Sequence, residues 1–189
     1  MKILAFAASN SSNSINKQLV SNVCKYYKGI DDEVVILDLH DFEMPLYSAD
    51  REIKEGIPEK AYRFREQLDW ADLTIISFAE HNGNYSAAYK NVADWSSRIK
   101  PGKIYAGKNM FLLSTSNGIR GGAKVMEIAQ ERMKIEGANV ISTFSLPQFS
   151  QNFQAGKGIT TPLLRSQLES AIRKSKKKMR ELNEVLNIK

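Results

Sequence analysis

Residues 2–20 read KILAFAASNSSNSINKQLV and change character twice within that short stretch. Residues 2–8 are almost entirely apolar, which predicts a buried strand. A polar segment of serines and asparagines follows. Apolar residues then recur at helical spacing, at Ile15, Leu19, Val23 and Tyr26. A buried strand, a short polar turn and an amphipathic helix form the first half of a strand–helix–strand unit.

The same alternation continues along the rest of the chain. We predict strands over residues 2–8, 33–39, 73–79, 109–116 and 139–146. Helices are predicted over residues 15–27, 57–71, 87–99 and 123–137, and from about Pro162 onward. Strands that are apolar throughout are typical of a parallel sheet covered on both faces. The sequence therefore predicts an α/β fold, a doubly wound five-stranded parallel sheet with helices on both faces, as a single domain over residues 1–189.

Two segments between the predicted elements are long. Residues 42–58 and 147–161 carry no clear periodicity, and we predict both as loops. The second contains QNFQAGKGITTP, and its glycines and polar residues favour a mobile segment or a lid.

Composition excludes several classes of protein. The 189 residues are 42% hydrophobic and 25% charged, as in ordinary globular proteins. No apolar run approaches the roughly 20 residues of a membrane span, so no membrane association is expected. The N-terminal apolar run is too short for a convincing signal peptide. Cys24 is the only cysteine, which rules out an internal disulfide and fits a cytoplasmic location.

The net charge of +6 comes largely from RKSKKKMR, residues 173–180. This run falls within the predicted C-terminal helix, whose apolar positions share one face, so the basic residues are interpreted as its solvated face. No zinc-ligand spacing or nucleic-acid-binding motif accompanies them, and we predict neither a metal site nor a nucleic-acid partner. The apolar positions are Leu164, Leu168, Ile172, Met179, Leu182 and Leu186.

The polar segment after the first strand has two interpretations. In open parallel sheets, ligands bind beyond the carboxyl ends of the strands, where a helix N-terminus offers unpaired N–H groups. Hydroxyls of Ser9, Ser11 and Ser14 and the amide of Asn16 would then help to hold a phosphate. Alternatively, Ser14 merely caps the helix. The absence of G-x-x-x-x-G-K-[ST] and of G-x-G-x-x-G excludes the common nucleoside-triphosphate and dinucleotide motifs.

The segment after the third strand, AEHNGNYSAAYKN, begins with turn-forming residues. Its backbone N–H and C=O groups would suit the polar edge of a flat heterocycle. Taken singly, Glu80 and His81 are ordinary surface residues, and we interpret Asp94 and Trp95 as packing and capping residues. The candidate binding residues here are Glu80, His81, Asn82, Gly83 and Asn84.

The segment after the fourth strand, STSNGIRGG, combines serines with three glycines. Glycine allows the backbone to approach a ligand closely, and Ser114 and Ser116 offer hydroxyls to a planar ligand. An ordinary strand–helix turn would have the same composition. Ser114, Ser116 and Gly118 are the candidate binding residues.

The three segments together resemble the NADPH-dependent FMN reductase family over roughly residues 1–146. The family motif G-S-x-R-x-x-S-x-N is matched at Ser9, Ser14 and Asn16, and the motif P-E-Y-N-x-S-x-P at Glu80 and Asn82. Three further family features also match. They are the motif K-N-x-x-D-W, the serine–glycine turn ending in Gly-Gly, and the proline–tyrosine segment MPLYSAD at residues 44–50. The matching residues are Lys90, Asn91, Asp94, Trp95, Ser114, Ser116, Gly118, Gly121 and Gly122.

The resemblance implies a flavodoxin-like fold with bound FMN and with NADPH or NADH as co-substrate. The phosphate would lie on Ser9, Ser11, Ser14, Ile15 and Asn16, and the ring against residues 80–84 and 116–118. Electrons would pass to free flavin, quinones, azo dyes or oxidised metal ions. It also implies a homodimer or homotetramer. Because the cofactor carries the redox chemistry, we predict no catalytic side chain.

The chain departs from the family pattern at four positions. Ala8 stands in place of a glycine, Ser11 of an arginine, His81 of a tyrosine and Ser86 of a proline. The missing arginine leaves the preference between NADPH and NADH open. Two other functions also remain open: a flavodoxin-like FMN-binding electron carrier without NAD(P)H activity, and a non-catalytic binding protein without flavin.

Overall fold

A computed structural model describes residues 1–29 and 32–187, with side chains described as far as Glu184. The predicted apolar position Leu186 therefore lies outside the described side chains. The strands are β1 (Lys2–Ala8), β2 (Glu33–Leu37), β3 (Leu73–Phe78), β4 (Glu80–His81), β5 (Asn84–Tyr85), β6 (Asn109–Thr115), β7 (Asn139–Leu146), β8 (Phe153–Gln154) and β9 (Gly158–Ile159). The helices are α1 (Ile15–Cys24), α2 (Ala49–Glu55), α3 (Glu59–Trp70), α4 (Ala87–Ser96), α5 (Ala123–Ile135), α6 (Phe149–Asn152) and α7 (Pro162–Asn187).

Five strands form one parallel sheet in the order β2-β1-β3-β6-β7. This order confirms the predicted doubly wound fold, and the chain reverses its direction of winding between β1 and β3. The register pairs Ala8 with Phe78 and Phe78 with Ser114. The carboxyl ends of β1, β3 and β6 therefore lie side by side, and the three polar segments leave the sheet along one edge.

The strands are apolar throughout because helices cover both faces of the sheet. Ile3 and Ala5 of β1 face the core formed with α1 and α7, whereas Leu4 and Phe6 face the core formed with α3, α4 and α5. All four side chains have no solvent exposure. The prediction of five main strands was therefore correct in their number and in their order along the chain.

Both predicted long loops contain secondary structure. Residues 42–58 include α2, which buries none of its side chains. Residues 147–161 include α6 and the hairpin of β8 and β9. In this segment Phe149 stacks on Phe153 at 4.6 Å, and Ile159 is buried in the core that contains α1. The segment is thus a packed element on the α1 side of the sheet rather than an open lid.

The C-terminal helix α7 has the predicted amphipathic arrangement. Leu168, Ile172 and Met179 are buried against the sheet, whereas Lys174 and Lys177 are exposed. Among the described residues, no helix has the length and hydrophobicity needed to cross a membrane. A single domain over residues 1–189 stays a prediction.

Candidate functional site

The amide of Asn16 fixes the segment after β1 to the neighbouring strands. Its Oδ1 accepts hydrogen bonds from the Ser77 hydroxyl (2.7 Å) and the Thr115 N–H (3.1 Å), and its Nδ2 donates to the Thr115 carbonyl (3.2 Å). Asn16 is 2% exposed. One buried side chain therefore ties the first turn of α1 to β3 and β6, a positioning role that the sequence motif did not reveal.

Ser14 has the capping role that was one of the two interpretations. It is the N-cap of α1, and its hydroxyl accepts a hydrogen bond from the Lys17 N–H at 3.2 Å. The buried Ser9 hydroxyl likewise accepts from the Ser11 N–H at 3.3 Å. Ser11 itself is exposed at the surface of the segment.

The N-terminus of α1 is suited to an anion. Its first turn contains no acidic residue, and the N–H groups of Ile15 and Asn16 donate no hydrogen bond to any described residue. Such N–H groups and the positive end of the helix dipole favour negative charge. Lys17, in the same turn, is paired with Asp38 at the end of β2, and this hydrogen bond lowers the pKa of the Asp38 carboxyl.

The segment after β3 is a tight hairpin rather than an irregular loop. Strands β4 and β5 pair antiparallel, and the two residues between them, Asn82 and Gly83, have φ values of 53° and 75°. Positive φ at both central residues is typical of the Asn-Gly hairpin turn. His81, Asn82 and Asn84 are exposed. The dipeptide Asn-Gly was the available sequence signal for this hairpin.

Ser86 starts α4 in place of the family's proline. Its hydroxyl accepts from the Tyr89 N–H at 3.2 Å and donates to the Ala8 carbonyl at 2.8 Å. This second bond joins the hairpin segment to the end of β1. The departure from the motif therefore keeps the helix start and adds a link between the first two segments.

The K-N-x-x-D-W residues hold the segment after β2. Asn91 Oδ1 accepts from the Tyr47 N–H (2.8 Å), and the Trp95 indole donates to the Pro45 carbonyl (2.7 Å). Lys90 pairs with Asp94 on the helix surface at 2.6 Å. The packing interpretation of Trp95 is confirmed, since its side chain is fully buried.

Glu80 connects the hairpin to α5. Its Oε2 accepts a hydrogen bond from the Val125 N–H at 3.1 Å. The N-cap of α5 is Gly122, which has no side chain to offer, so the carboxylate of Glu80 supplies the missing acceptor from another segment. A negative charge at this helix end is also favourable.

The segment after β6 separates into a buried and an exposed part. Ser114 is fully buried, and its hydroxyl donates to the Gly121 carbonyl at 2.9 Å. A methyl group on Gly121 would lie 2.8 Å from the Leu146 carbonyl carbon, so only glycine fits there. Ser116 and Gly118 instead line an open depression together with Glu80, Ile119 and Arg120.

A second open cleft lies on the other side of the hairpin. It is about 360 Å³ in volume and runs from Asn10 and Met44 to His81, Ser86 and Asn91. The hairpin thus lies between two depressions at the edge where β1, β3 and β6 end. The predicted site residues are brought together there, but Ser9, Ser14, Asn16 and Ser114 are buried, whereas Ser11, His81, Asn82, Asn84 and Gly118 reach solvent.

Comparison with known proteins gives the family. The family model described as NADPH-dependent FMN reductase matches residues 1–151. The chain belongs to this family. A 2-hydroxy-1,4-benzoquinone reductase of Burkholderia sp. is 31% identical over 134 residues, which are 71% of this chain and 68% of the relative.

Other relatives match over shorter stretches. A quinone reductase of Escherichia coli K12 is 37% identical over 82 residues, and the match spans 43% of each chain, less than half the length of that relative. An NAD(P)H-dependent FMN reductase of Pseudomonas aeruginosa is 30% identical over 125 residues, covering 66% of this chain and 64% of the relative.

Solved structures show the same fold for this FMN reductase family member. The NAD(P)H:(acceptor) oxidoreductase FerB of Paracoccus denitrificans superposes with a TM-score of 0.71 at 21% identity, covering 93% of this chain and 97% of FerB. An azoreductase of Bacillus anthracis gives a TM-score of 0.66 at 21% identity, covering 93% and 99%. The flavodoxin-like arrangement predicted from the sequence is thereby confirmed.

Proposed function

We propose that this protein is an FMN-dependent NAD(P)H oxidoreductase that passes electrons to quinone, azo or flavin acceptors. The observation that carries the proposal is the N-terminus of α1. It offers two N–H groups without a partner among the described residues and no acidic side chain, at the point where the sheet reverses its winding. The names of the quinone reductase, benzoquinone reductase and azoreductase relatives support the choice of acceptors.

The residues of the first segment fit a phosphate in two ways. The N–H groups of Ile15 and Asn16 and the exposed hydroxyl of Ser11 would hold it directly. Ser9 and Ser14, whose hydroxyls already accept backbone hydrogen bonds, would shape the cradle. No cation is required, because helix N-termini bind anions through their N–H groups and dipole.

The ring of the flavin would contact backbone on two sides. We assign this role to the hairpin residues Glu80, His81, Asn82, Gly83 and Asn84, and to Ser116 and Gly118. Ser114, which is fully buried, would support the second of these segments through its bond to Gly121. Two hydrogen bonds hold the hairpin segment in place. One joins Glu80 to the Val125 N–H of α5, and the other joins the Ser86 hydroxyl to the Ala8 carbonyl of β1.

When bound, FMN would supply the redox chemistry between NAD(P)H and the acceptor. The chain's part is to bind and orient the reactants, and the proposal therefore includes no catalytic side chain. We propose a cytoplasmic location, with which the single cysteine, Cys24, is consistent.

We also propose a homodimer or homotetramer. Helix α2 buries no side chain of its own. Leu46, just before the helix, and Ile53, within it, are large apolar residues that are 73% and 85% exposed. Leu46 also lines the Met44 cleft, and apolar exposure of this kind marks contact surfaces. Assembly through this face would place a second subunit next to the candidate flavin site.

The test is an absorbance spectrum of the purified protein, before and after incubation with FMN and desalting. NADPH and then NADH are added to the loaded protein under anaerobic conditions. We expect a retained yellow flavin that bleaches and that recovers its colour when a quinone is added.

The other outcomes identify the alternatives. Flavin that is retained but stays yellow with both nucleotides would indicate an electron carrier. Protein that retains no added FMN would contradict the phosphate assignment and leave a non-catalytic binding protein.

A further inference from the structure

An open groove of about 380 Å³ lies between α7 and the start of β7. Because β7 is parallel to the other strands, its start lies at the opposite end of the sheet from the candidate flavin site. None of the residues assigned above to the flavin borders the groove. One wall is formed by residues 139–141, and the other by Lys174, Lys177, Lys178 and Glu181 of α7.

The groove has an excess of positive charge. Lys178 pairs with Glu181 at 3.3 Å, whereas Lys174 and Lys177 have no ion-pair partner among the described residues. All three lysines are exposed, and β7, with the sequence NVISTFSL, contributes no charge. Lysines three and four positions apart are neighbours on a helix, and like charges at that spacing destabilise it. An anion bound in the groove would offset this repulsion.

The shape of the groove favours an extended occupant. Strand β7 is at the edge of the sheet, since it pairs with β6 and no described strand pairs with its other side. Asn139, at the start of β7, lines the groove together with Lys178. Further along β7, the Ser142 hydroxyl donates to the Ala171 carbonyl of α7 at 2.9 Å. The strand and the helix therefore run antiparallel, and the lysines follow the free edge of β7.

The spacing of the lysines matches that of an acidic strand. Lys174 and Lys178 are four residues apart, which is about 6 Å along a helix axis. Alternate side chains of an extended chain point the same way and are about 6.6 Å apart. Carboxylates at every second position would therefore meet successive lysines. Because the register of β7 with β6 shifts after Val140, regular backbone pairing is available only at the start of β7, and the lysines would supply most of the binding.

Two other occupants fit this groove less well. A two-fold interface presents the same surface twice, so a second copy seated symmetrically here would bring its own lysines against these. A nucleic acid would find no base-stacking surface, because none of the groove residues is aromatic.

We propose that this groove binds an extended acidic segment of a partner protein, whose carboxylates at alternate positions pair with Lys174, Lys177 and Lys178. The segment lies along the free edge of β7, as in recognition by strand addition. The inference goes beyond the proposed function and requires neither bound flavin nor turnover.

The experiment measures binding of nine-residue peptides labelled with tetramethylrhodamine, by fluorescence anisotropy on the full chain. Saturating FMN is present so that the start of α1 is not available to carboxylates. One peptide has glutamate at every second position with threonine between, and the other has the same composition with its glutamates contiguous. We expect the alternating peptide to bind about fivefold more tightly than the contiguous one, and its affinity to fall as salt is raised.

Two double variants assign the binding to the groove. Lys174→Gln/Lys177→Gln should weaken binding of the alternating peptide about fivefold to tenfold, the effect of two exposed ion pairs. Lys54→Gln/Lys157→Gln removes the same charge from exposed positions outside the groove and should bind as the wild type does. The groove variant should melt at the wild-type temperature or above it, because it relieves a repulsion. A lower melting temperature with unchanged peptide affinity would overturn the proposal, since the lysines would then stabilise the fold.

The remaining outcomes each refute the proposal in a different way. No binding of the alternating peptide to the wild type would do so directly. Equal affinity for the two peptides, or equal weakening by the two double variants, would show attraction to the overall positive charge alone. Pyrophosphate or duplex DNA that binds the groove lysines more tightly than the peptide does would identify a phosphate site. If the wild type binds no peptide and the groove variant differs in oligomeric state by sedimentation, the groove is a contact between copies.

Discussion

The edge where the strands end has a buried floor and an exposed rim, and both are rich in polar residues. The floor consists of Ser9, Ser14, Asn16, Ser77, Ser114 and Thr115, each under 8% exposed. The rim consists of Ser11, His81, Asn82, Ile119 and Arg120, all exposed. Floor side chains bond to the protein itself, whereas the rim is left to face a ligand. The polar residues of this site therefore have two roles: those of the floor stabilise the protein, and those of the rim are available to a ligand.

Asn16→Ala should have the largest effect, because it removes the centre of the floor. The change leaves the Ser77 hydroxyl and both backbone groups of Thr115 without their partner. Each buried group left unpaired costs about 1–3 kcal/mol. We expect the free energy of unfolding to fall by about 3–4 kcal/mol and the melting temperature by roughly 10 °C, measured by denaturant and thermal unfolding.

The matched control for this change is Asn13→Ala. Asn13 lies in the same segment but is exposed, and its side chain makes no hydrogen bond to a described residue. Its variant should melt within about 1 °C of the wild type. Equal melting temperatures for the two variants would show that the floor contributes nothing beyond the rim.

Ser14→Asp should separate the floor's structural role from its effect on a ligand. Aspartate caps helices as well as serine does, and its charge is favourable at a helix N-terminus, so stability should be kept. Beside a phosphate the same charge is repulsive, by about 1–4 kcal/mol at 4 Å. FMN affinity should therefore fall about 100-fold, measured by fluorescence titration of the flavin.

Ser14→Asn is the control, because it has nearly the shape of aspartate and caps equally well but carries no charge. It should keep FMN affinity within about threefold of the wild type. If Ser14→Asp and Ser14→Asn bind flavin equally well, the phosphate does not lie at the start of α1.

The division between floor and rim is the part that sequence reasoning could not provide. The periodicity of apolar residues predicts strands and amphipathic helices, and the five main strands were predicted correctly. Whether Ser9 or Ser11 is buried depends on neighbours from distant strands; Asn16, for example, bonds to a residue 99 positions away. The spacing of residues that are close in the sequence does not predict contacts between residues that are distant in it.

Two of the local elements that the sequence analysis did not predict were missed for different reasons. The Asn82-Gly83 dipeptide is a strong hairpin signal, and it was available in the sequence. Helix α2 buries no side chain, so it has no apolar periodicity to detect. Its start is nevertheless marked by Ser48, whose hydroxyl accepts from the Arg51 N–H, and its end by Gly56.

Arg120→Ala should sharpen the role of the rim. Arg120 is exposed beside Ser116 and Gly118 and has no ion-pair partner among the described residues. If the proposed function holds, we expect this exposed cation to contact a phosphate of the nicotinamide nucleotide. Its loss should raise KM for NADPH about fivefold to tenfold, the value of one exposed charge contact, with kcat within about twofold.

The nucleotide comparison gives this prediction a second readout. A rise in KM confined to NADPH would assign Arg120 to the extra phosphate, and an equal rise for NADH would assign it to the shared pyrophosphate. Arg173→Ala, on exposed α7, is the control and should change neither value. Unchanged KM values for Arg120→Ala would show that Arg120 does not take part in nucleotide binding.

Asp38→Asn should have the smallest effect, because the Lys17–Asp38 pair is partly exposed, with 37% and 33% of the side chains accessible. Asparagine keeps an acceptor for the His40 N–H that Asp38 caps and removes only the charge. We expect a loss of about 0.5 kcal/mol in the free energy of unfolding at pH 7, typical of exposed pairs.

The pH dependence of this loss follows from the lowered pKa of Asp38. A carboxyl whose pKa is lower in the folded state stabilises the fold above its unfolded pKa of about 3.9 and loses that contribution as the pH falls through the folded value. The difference in urea midpoint between wild type and Asp38→Asn should therefore be constant from pH 7 to 5 and shrink below pH 4. A difference as large at pH 3 as at pH 7 would mean that the side chain acts through packing rather than charge, as the uncharged floor residues do.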